Sequence, residues 1–100
     1  MPEWTFLTSH GLVLSYIALH PRATARDLAA AVGITERTTR KIIAGLLEAG
    51  YIIKKREGRR NRYRIDANLP LRHPTHGVTA IGDLLQALGW KRPGRRSKQA

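Results

Sequence analysis

Arginine and lysine side chains are the groups whose number and spacing in this sequence point to a chemical role. Residues 34–64 hold ten of them against three glutamates, a net charge of +7 out of +11 for the whole chain. Residues 1–33 are neutral, residues 65–90 carry −1 and residues 91–100 carry +5. A solubilising surface mixes both signs, whereas one cationic segment is typical of a surface that binds a polyanion. We therefore expect a nucleic-acid partner.

Other kinds of chemistry find little support in the sequence. The chain has no cysteine, which excludes disulfides and thiolate metal sites. His73 and His76 have a possible metal-ligand spacing, but Pro74 lies between them and no carboxylate is near in sequence, so we expect neither metal nor cofactor. Ser9 and His10 are adjacent, which is the wrong geometry for a nucleophile and its base. No catalytic constellation is present, and we do not expect an enzyme.

The composition fits one small domain. With 42% hydrophobic residues in 100, the chain can build a single core. No apolar run approaches the ~20 residues of a membrane span, and the N-terminus lacks the basic region of a signal peptide. We expect a cytoplasmic protein that does not contact the membrane, with a domain over residues 1–90 and a mobile basic tail over residues 91–100.

Two short helices are predicted before the basic segment. The first follows Thr8 or Ser9 as N-cap and ends before Pro21, with an apolar stripe that begins at Leu12. The second begins after Thr24 as N-cap and stops at Gly33.

A third predicted helix begins after the N-cap Thr35 and runs to about Ala49. Isoleucines and leucines at helical spacing form its inner face, and its outer face is polar and basic. With the preceding helix it forms a helix-turn-helix. Its outer face offers donors suited to the major groove, above all arginine to guanine. The candidate DNA contacts on this helix are Thr35, Arg37, Thr38, Arg40, Lys41 and Ala44. The alternative is a solvated face on which Glu36 and Glu48 pair with basic neighbours.

A β-hairpin is predicted after Gly50. Two β-prone runs flank a loop that contains Gly58 and Asn61, and the second run alternates charged with apolar residues so that Tyr63 and Ile65 face the core. The alternative is that basic residues on an edge hairpin prevent aggregation between strands. That role accounts for one or two lysines, whereas seven basic residues between Lys54 and Arg64 favour nucleic-acid contact. The candidate DNA contacts are Lys54, Lys55, Arg56, Arg59, Arg60, Asn61, Arg62 and Arg64.

The stretch TARDLAAAVGITERTTRKIIAGLLEAGYIIKKREGRRNRYRI resembles winged helix-turn-helix transcriptional regulators of the ArsR and MarR kind. The resemblance covers Leu12 to Ile65, and the connector from Pro70 to Pro74 is in keeping with it. It is closest to small single-domain bacterial and archaeal regulators with a GITER…AGYI…GRRNRY signature. It implies a mainly α fold in which a three-helix core carries a two-stranded wing.

The resemblance also implies how the domain would meet duplex DNA. The second helix would cross the backbone with Thr24 near a phosphate, the third would enter the major groove, and the wing would follow a neighbouring groove. Family members commonly repress transcription as dimers. Because the chain has no cysteine, thiolate metal sensing of the ArsR kind is excluded. The helical arms of ligand-responsive MarR-like proteins are usually longer than this chain provides, so the resemblance does not indicate a small-molecule pocket and leaves any effector open.

An extra C-terminal helix is predicted over residues 76–89. Its apolar stripe can complete the monomer core or pack on a symmetry mate, as expected for a homodimer on a palindromic site. The candidate interface residues are Val78, Ile81, Leu84, Leu85 and Leu88, with Trp4 and Phe6 from the N-terminus. The predicted function is a sequence-specific, double-stranded DNA-binding regulator, most simply a homodimeric repressor. The alternative is a winged-helix module that binds RNA, DNA without sequence preference, or a protein.

Overall fold

The computed structural model describes residues 3–93 and consists of helices with one hairpin. Three helices come first, the hairpin follows, and a short helix comes last. This order confirms the predicted mainly α architecture with a three-helix core, a two-stranded hairpin and an extra helix. The elements are α1 (Ser9–Leu19), α2 (Ala25–Val32), α3 (Glu36–Ala49), β1 (Ile52–Glu57), β2 (Arg60–Ile65) and α4 (Ile81–Ala87).

The first three helices begin at threonine N-caps. The hydroxyl of Thr8 accepts from the backbone amide of Gly11, so Thr8 rather than Ser9 caps α1. At α2, Thr24 accepts from the amide of Asp27, whose carboxylate accepts from the amide of Thr24 at 3.0 Å, a reciprocal capping box. The predicted helix starts at Thr24 and Thr35 are confirmed.

The core lies where the three helices meet the base of the hairpin. Because apolar residues recur at helical spacing, α2 and α3 each turn one face inward and leave the other in solvent, whereas α1 is buried or half-buried along most of its length. The one buried polar side chain among the described residues, Thr39, donates its hydroxyl to the carbonyl of Thr35 at 2.8 Å. Thr39 is the fully buried side chain of α3, and the fully buried apolar side chains come from α1, α2, β1 and α4, namely Val13, Ile17, Leu28, Ile52 and Leu85.

The hairpin is antiparallel and joins its strands by a two-residue turn. Ile52 pairs with Ile65 at its base and Glu57 pairs with Arg60 at its tip. Gly58 adopts φ of 60°, a left-handed conformation that hairpin turns require and that glycine adopts without steric cost. Tyr63 and Ile65 are half-buried against the core, as predicted.

The C-terminal helix begins later than predicted. Residues 69–71 pair with residues 79–81 through hydrogen bonds from Leu71 to Thr79 and from Ile81 to Leu69. Since paired, extended backbone cannot also be helical, α4 starts only at Ile81. Residues Pro74–His76 form a separate turn of 3₁₀-helix, and Val78 lies outside any helix.

Two of the candidate dimer residues lie in the monomer core instead. Ile81 and Leu85 are buried, because α4 packs its inner face against the core of its own chain. Gly82 permits this packing, since a Cβ built there would lie 2.6 Å from Cβ of Ala67. Leu84 is half-buried. The other candidate dimer residues, Trp4, Phe6, Val78 and Leu88, are exposed.

The second residue of the predicted tail is anchored to the domain. Arg92 lies 3.6 Å from the carboxylate of Asp83 and donates to side-chain oxygens of Asn68 and Gln86. The rest of that predicted tail, residues 94–100, lies outside the described residues, as do residues 1–2. Within residues 3–93, no helix is both long and apolar enough to cross a membrane.

Candidate nucleic-acid interface

The outer face of α3 is a row of exposed side chains on a fixed support. Ile42, Ile43 and Leu46 are buried on the opposite face, so the orientation of the helix is set by the core. The predicted contact residues on the helix itself are all exposed, namely Arg37, Thr38, Arg40, Lys41 and Ala44. Thr35 lies at the N-cap, where its hydroxyl donates to Oγ1 of Thr38 and accepts from the amide of that residue.

The cations of α3 differ in their partners. Nη2 of Arg40 lies 3.0 Å from Oε2 of Glu36, an exposed pair one helical turn apart. Arg37 and Lys41 form no ion pair with any residue in the part of the chain that the structure describes. Arg37 and Lys41 are therefore free to pair with a bound anion, whereas Arg40 must exchange one partner for another.

The hairpin divides its basic residues between two faces. Because residues two apart in a strand share a face, Lys54, Arg56 and Asn61 lie on the side of Ile52 and Ile65. The opposite face of the hairpin carries Lys55, Arg60, Arg62 and Arg64. Arg59 occupies the turn, and Nε of Arg56 donates to the carbonyl of Gly58 at 2.9 Å. These residues were predicted as one set of DNA contacts, but the pleat of the strands divides them between the two faces of the hairpin.

A groove brings part of the hairpin next to α3 and the start of α2. Its volume is about 450 Å³, and its apolar wall includes Ile43, Leu47 and Tyr63. From the predicted set it is lined by Thr24, Arg40, Ala44, Lys54, Arg59, Arg60 and Asn61. Lys55, Arg56, Arg62 and Arg64 do not line it, and neither do Arg37 and Lys41 farther around α3.

Arg22 and Arg26 also line this groove, and neither is among the predicted DNA contacts. The zero net charge of residues 1–33 concealed them, because Glu3 and Asp27 balance the two arginines in the sum. A local signal was available, because both arginines flank Thr24, the cap of the helix expected near a phosphate backbone. The N-terminus of a helix favours anions, so cations beside it strengthen the same preference.

Asp27 is the acid at the start of α2, and its carboxylate is used in the capping box of that helix. Hydrogen bonds from the backbone amide and side chain of Thr24 hold the pKa of the Asp27 carboxyl below its usual value. The guanidinium groups of Arg60 and Arg26 act in the same direction. The carboxylate is thus committed to capping the helix, and the cations around the groove outnumber it.

The histidine pair does not form a larger cluster. The rings of His73 and His76 lie 5.9 Å apart, and Nδ1 of His73 caps the following turn through Thr75. Within residues 3–93, no three histidine, cysteine or acidic side chains are grouped to hold a metal ion.

Comparisons with known proteins agree with this geometry. A family model described as winged helix-turn-helix DNA-binding matches residues 8–53, which span α1 to the start of β1. The adjoining hairpin supplies the wing. The fold is a winged helix-turn-helix. No curated protein sequence matches the chain significantly.

A solved structure shows the same winged helix-turn-helix fold. The chain superimposes on MepR, a transcription regulator of the Staphylococcus aureus multidrug efflux pump MepA, with a TM-score of 0.55 and 17% sequence identity. The similarity covers 81% of this chain and 56% of MepR, so this winged helix spans little more than half the length of that protein. At this identity, the similarity concerns the fold.

Proposed function

We propose that this winged helix is a transcription regulator of the ArsR or MarR kind that binds duplex DNA, acts as a homodimer and represses by occupying its site. The observation that carries the proposal is the groove in which α3, the start of α2 and the wing place cations side by side. Cations from three elements around one groove match the negative charge of a duplex.

In this proposal, α3 lies in the major groove and contacts base edges. Arg37, Arg40 and Lys41 are exposed on a helix whose other face is locked into the core. A guanidinium donates two parallel hydrogen bonds to O6 and N7 of guanine, which discriminates this base from the others. Thr24, with Arg26 beside it, would meet the DNA backbone at the start of α2.

The wing would lie over the minor groove and the adjoining phosphates. Arg59 at the turn and Arg60 beside it line the groove on its wing side. Arginine enters a narrow minor groove because the negative potential is greatest there. Lys55 and Arg64, on the other face of the hairpin, would contact phosphates of a duplex that extends past the wing. DNA binding also fits the cytoplasmic location that the sequence predicts.

The proposed dimer interface is formed by those candidate residues that the monomer leaves exposed. Trp4 and Phe6 are 68% and 93% exposed and pack edge to face on each other. Val78 is fully exposed and Leu88 is 43% exposed. Large exposed apolar groups of this kind are typical of contact surfaces. Leu84 would lie at the rim, whereas Ile81 and Leu85 remain in the monomer core.

The DNA proposal is tested by selecting bound sequences from random duplexes and measuring affinity by fluorescence anisotropy across salt concentrations. We expect preference for one sequence, with two-fold symmetry in the selected site. The logarithm of the affinity should fall with the logarithm of salt concentration by about 0.9 per phosphate contact.

A matched pair of variants makes this test sharper. R59A/R60A should weaken binding and flatten the salt slope by about 1.8, the value for two phosphate contacts. R72A is the control, because Arg72 is exposed but does not line the groove. Absence of binding at low salt would overturn the proposal, and equal affinity for all duplexes would make the protein an architectural module instead.

The dimer proposal is tested separately by sedimentation equilibrium. F6A should shift the protein toward the monomer. L19A is the matched control, because Leu19 is also exposed and apolar but does not belong to the proposed interface. A monomeric wild-type protein, or equal shifts for both variants, would contradict the proposed interface.

A further inference from the structure

Glu57 is the one acidic residue between Ala49 and Ile65, and it lies at the tip of the basic wing. Its Oε1 accepts from Nε of Arg22 at 2.9 Å, and its Oε2 lies 3.7 Å from Nη1 of Arg62. Arg22 belongs to the turn between α1 and α2, whereas Arg62 belongs to β2. One carboxylate therefore joins the wing to the segment that precedes α2.

Two further contacts join the same pieces of chain. The guanidinium of Arg60 donates to the carbonyl of Arg22 at 3.4 Å. The backbone amide of Tyr63 donates to the carbonyl of Pro21 at 2.8 Å, so β2 is hydrogen-bonded to the turn as well as to β1. These contacts fix the position of the wing relative to the start of α2, and hence the width of the groove between them.

We propose that Glu57 is a positioning residue that holds the wing against the turn before α2 and withholds Arg22 and Arg62 from phosphates. This inference rests on the proposed DNA binding and adds a specificity role to it. Without the carboxylate, both arginines become available to any duplex, and the wing loses its fixed position. The wild-type residue thus lowers non-specific affinity while it favours one DNA geometry.

The exposure of the Arg22–Glu57 ion pair indicates whether loss of Glu57 affects stability or DNA binding more. The side chains of Arg22 and Glu57 are 63% and 38% exposed, so solvent weakens their attraction and the domain does not depend on it for folding. The effect on DNA is not weakened in this way, since each arginine released can displace counterions from a phosphate. Removal of Glu57 should therefore change DNA binding more than stability.

The first test compares E57Q with E48Q on the selected site and on a random duplex. E48Q makes the same change in charge. Because Glu48 is exposed on α3 and forms no ion pair within residues 3–93, its substitution releases no arginine. E57Q should bind the random duplex more tightly, with a salt slope steeper by up to about 1.8. Its preference for the selected site should fall, whereas E48Q should keep both. Equal effects of the two variants would overturn the proposal.

The second test needs no DNA and uses amide hydrogen exchange at Tyr63. Both E57Q and R22Q should accelerate exchange there about two- to fivefold, in line with the energy of an exposed ion pair. The double variant should exchange no faster than the quicker single variant, because both remove the same contact. Unchanged or multiplicative rates would overturn the positioning role. If the wild-type protein does not bind DNA, the proposed function and the effect on affinity both fail, while exchange still decides whether Glu57 positions the wing.

Discussion

Helix α3 and the wing carry similar cationic side chains but are held in place by different forces. Ile42, Ile43 and Leu46 bury one whole face of α3 in the core. The wing packs against the core through Ile52 and the half-buried Tyr63 and Ile65, all in the half of the hairpin nearer its base. Nearer the tip, its position depends on hydrogen bonds and an exposed carboxylate.

This difference suits the two proposed tasks. Base recognition requires donors placed to within a fraction of an ångström, which hydrophobic packing of the supporting helix provides. Phosphate contacts require charge near a continuous backbone and tolerate adjustment. We infer that a basic residue can differ in function according to how its support is held, even where the side chain is the same. Four predictions test this comparison.

The largest expected effect comes from loosening the support of α3. I42A should lower the free energy of unfolding by about 2–5 kcal/mol, since a buried isoleucine is replaced by a cavity. I53A makes the same chemical change in β1, where the side chain is 41% exposed, and should cost far less. Urea denaturation measures both. Equal losses would show that the wing is as tightly packed as α3.

A smaller effect is expected from separating base contacts from phosphate contacts. R40A should weaken binding to the selected site by about 1–3 kcal/mol and change sequence preference, if its guanidinium contacts a base. R59A/R60A should weaken binding to every duplex similarly. Anisotropy titrations on matched and mismatched duplexes distinguish the two. If both variants weaken binding by the same factor on all sequences, the assignment of base contacts to α3 and phosphate contacts to the wing is wrong.

The capping box of α2 should matter by about 1 kcal/mol. T24A removes the hydroxyl that caps the helix, at the typical cost of a lost N-cap. Because the pKa of Asp27 is lowered in the folded state, its contribution is present above the ordinary value of 3.8 and is lost as the pH falls through the lower, folded value. D27N should abolish this part of the acid dependence, measured by urea denaturation between pH 2 and pH 6. An unchanged pH profile would contradict the role of the carboxylate.

The smallest effect is expected on the surface of α3. E36Q removes the exposed partner of Arg40, which should cost no more than about 0.5 kcal/mol of stability. It should also strengthen DNA binding slightly, since Arg40 no longer exchanges one anion for another. Thermal unfolding and anisotropy measure these changes. A large loss of stability would mean that ion pairs, as well as packing, hold α3 in place.

Much of the fold followed from local features of the sequence. Thr24 and Thr35 marked helix starts because short polar side chains bond to free amides there. The spacing of isoleucines and leucines in α3 determined which face is buried, and the alternation before Ile65 placed Tyr63 toward the core. These patterns depend on neighbours along the chain, so they can be recognised without a structure.

The sequence alone determined the helix-turn-helix, the basic wing and the concentration of charge, because periodicity, capping and composition are local properties. Only the tertiary structure decided which cations share a groove, where α4 begins and which exposed apolar side chains remain. Arg22 lies 35 residues from Glu57 in sequence, yet their side chains are bonded. Ile81 and Leu85 appear suited to a partner in sequence, yet their own core buries them. Such outcomes depend on contacts between distant segments, which packing establishes and local patterns do not encode.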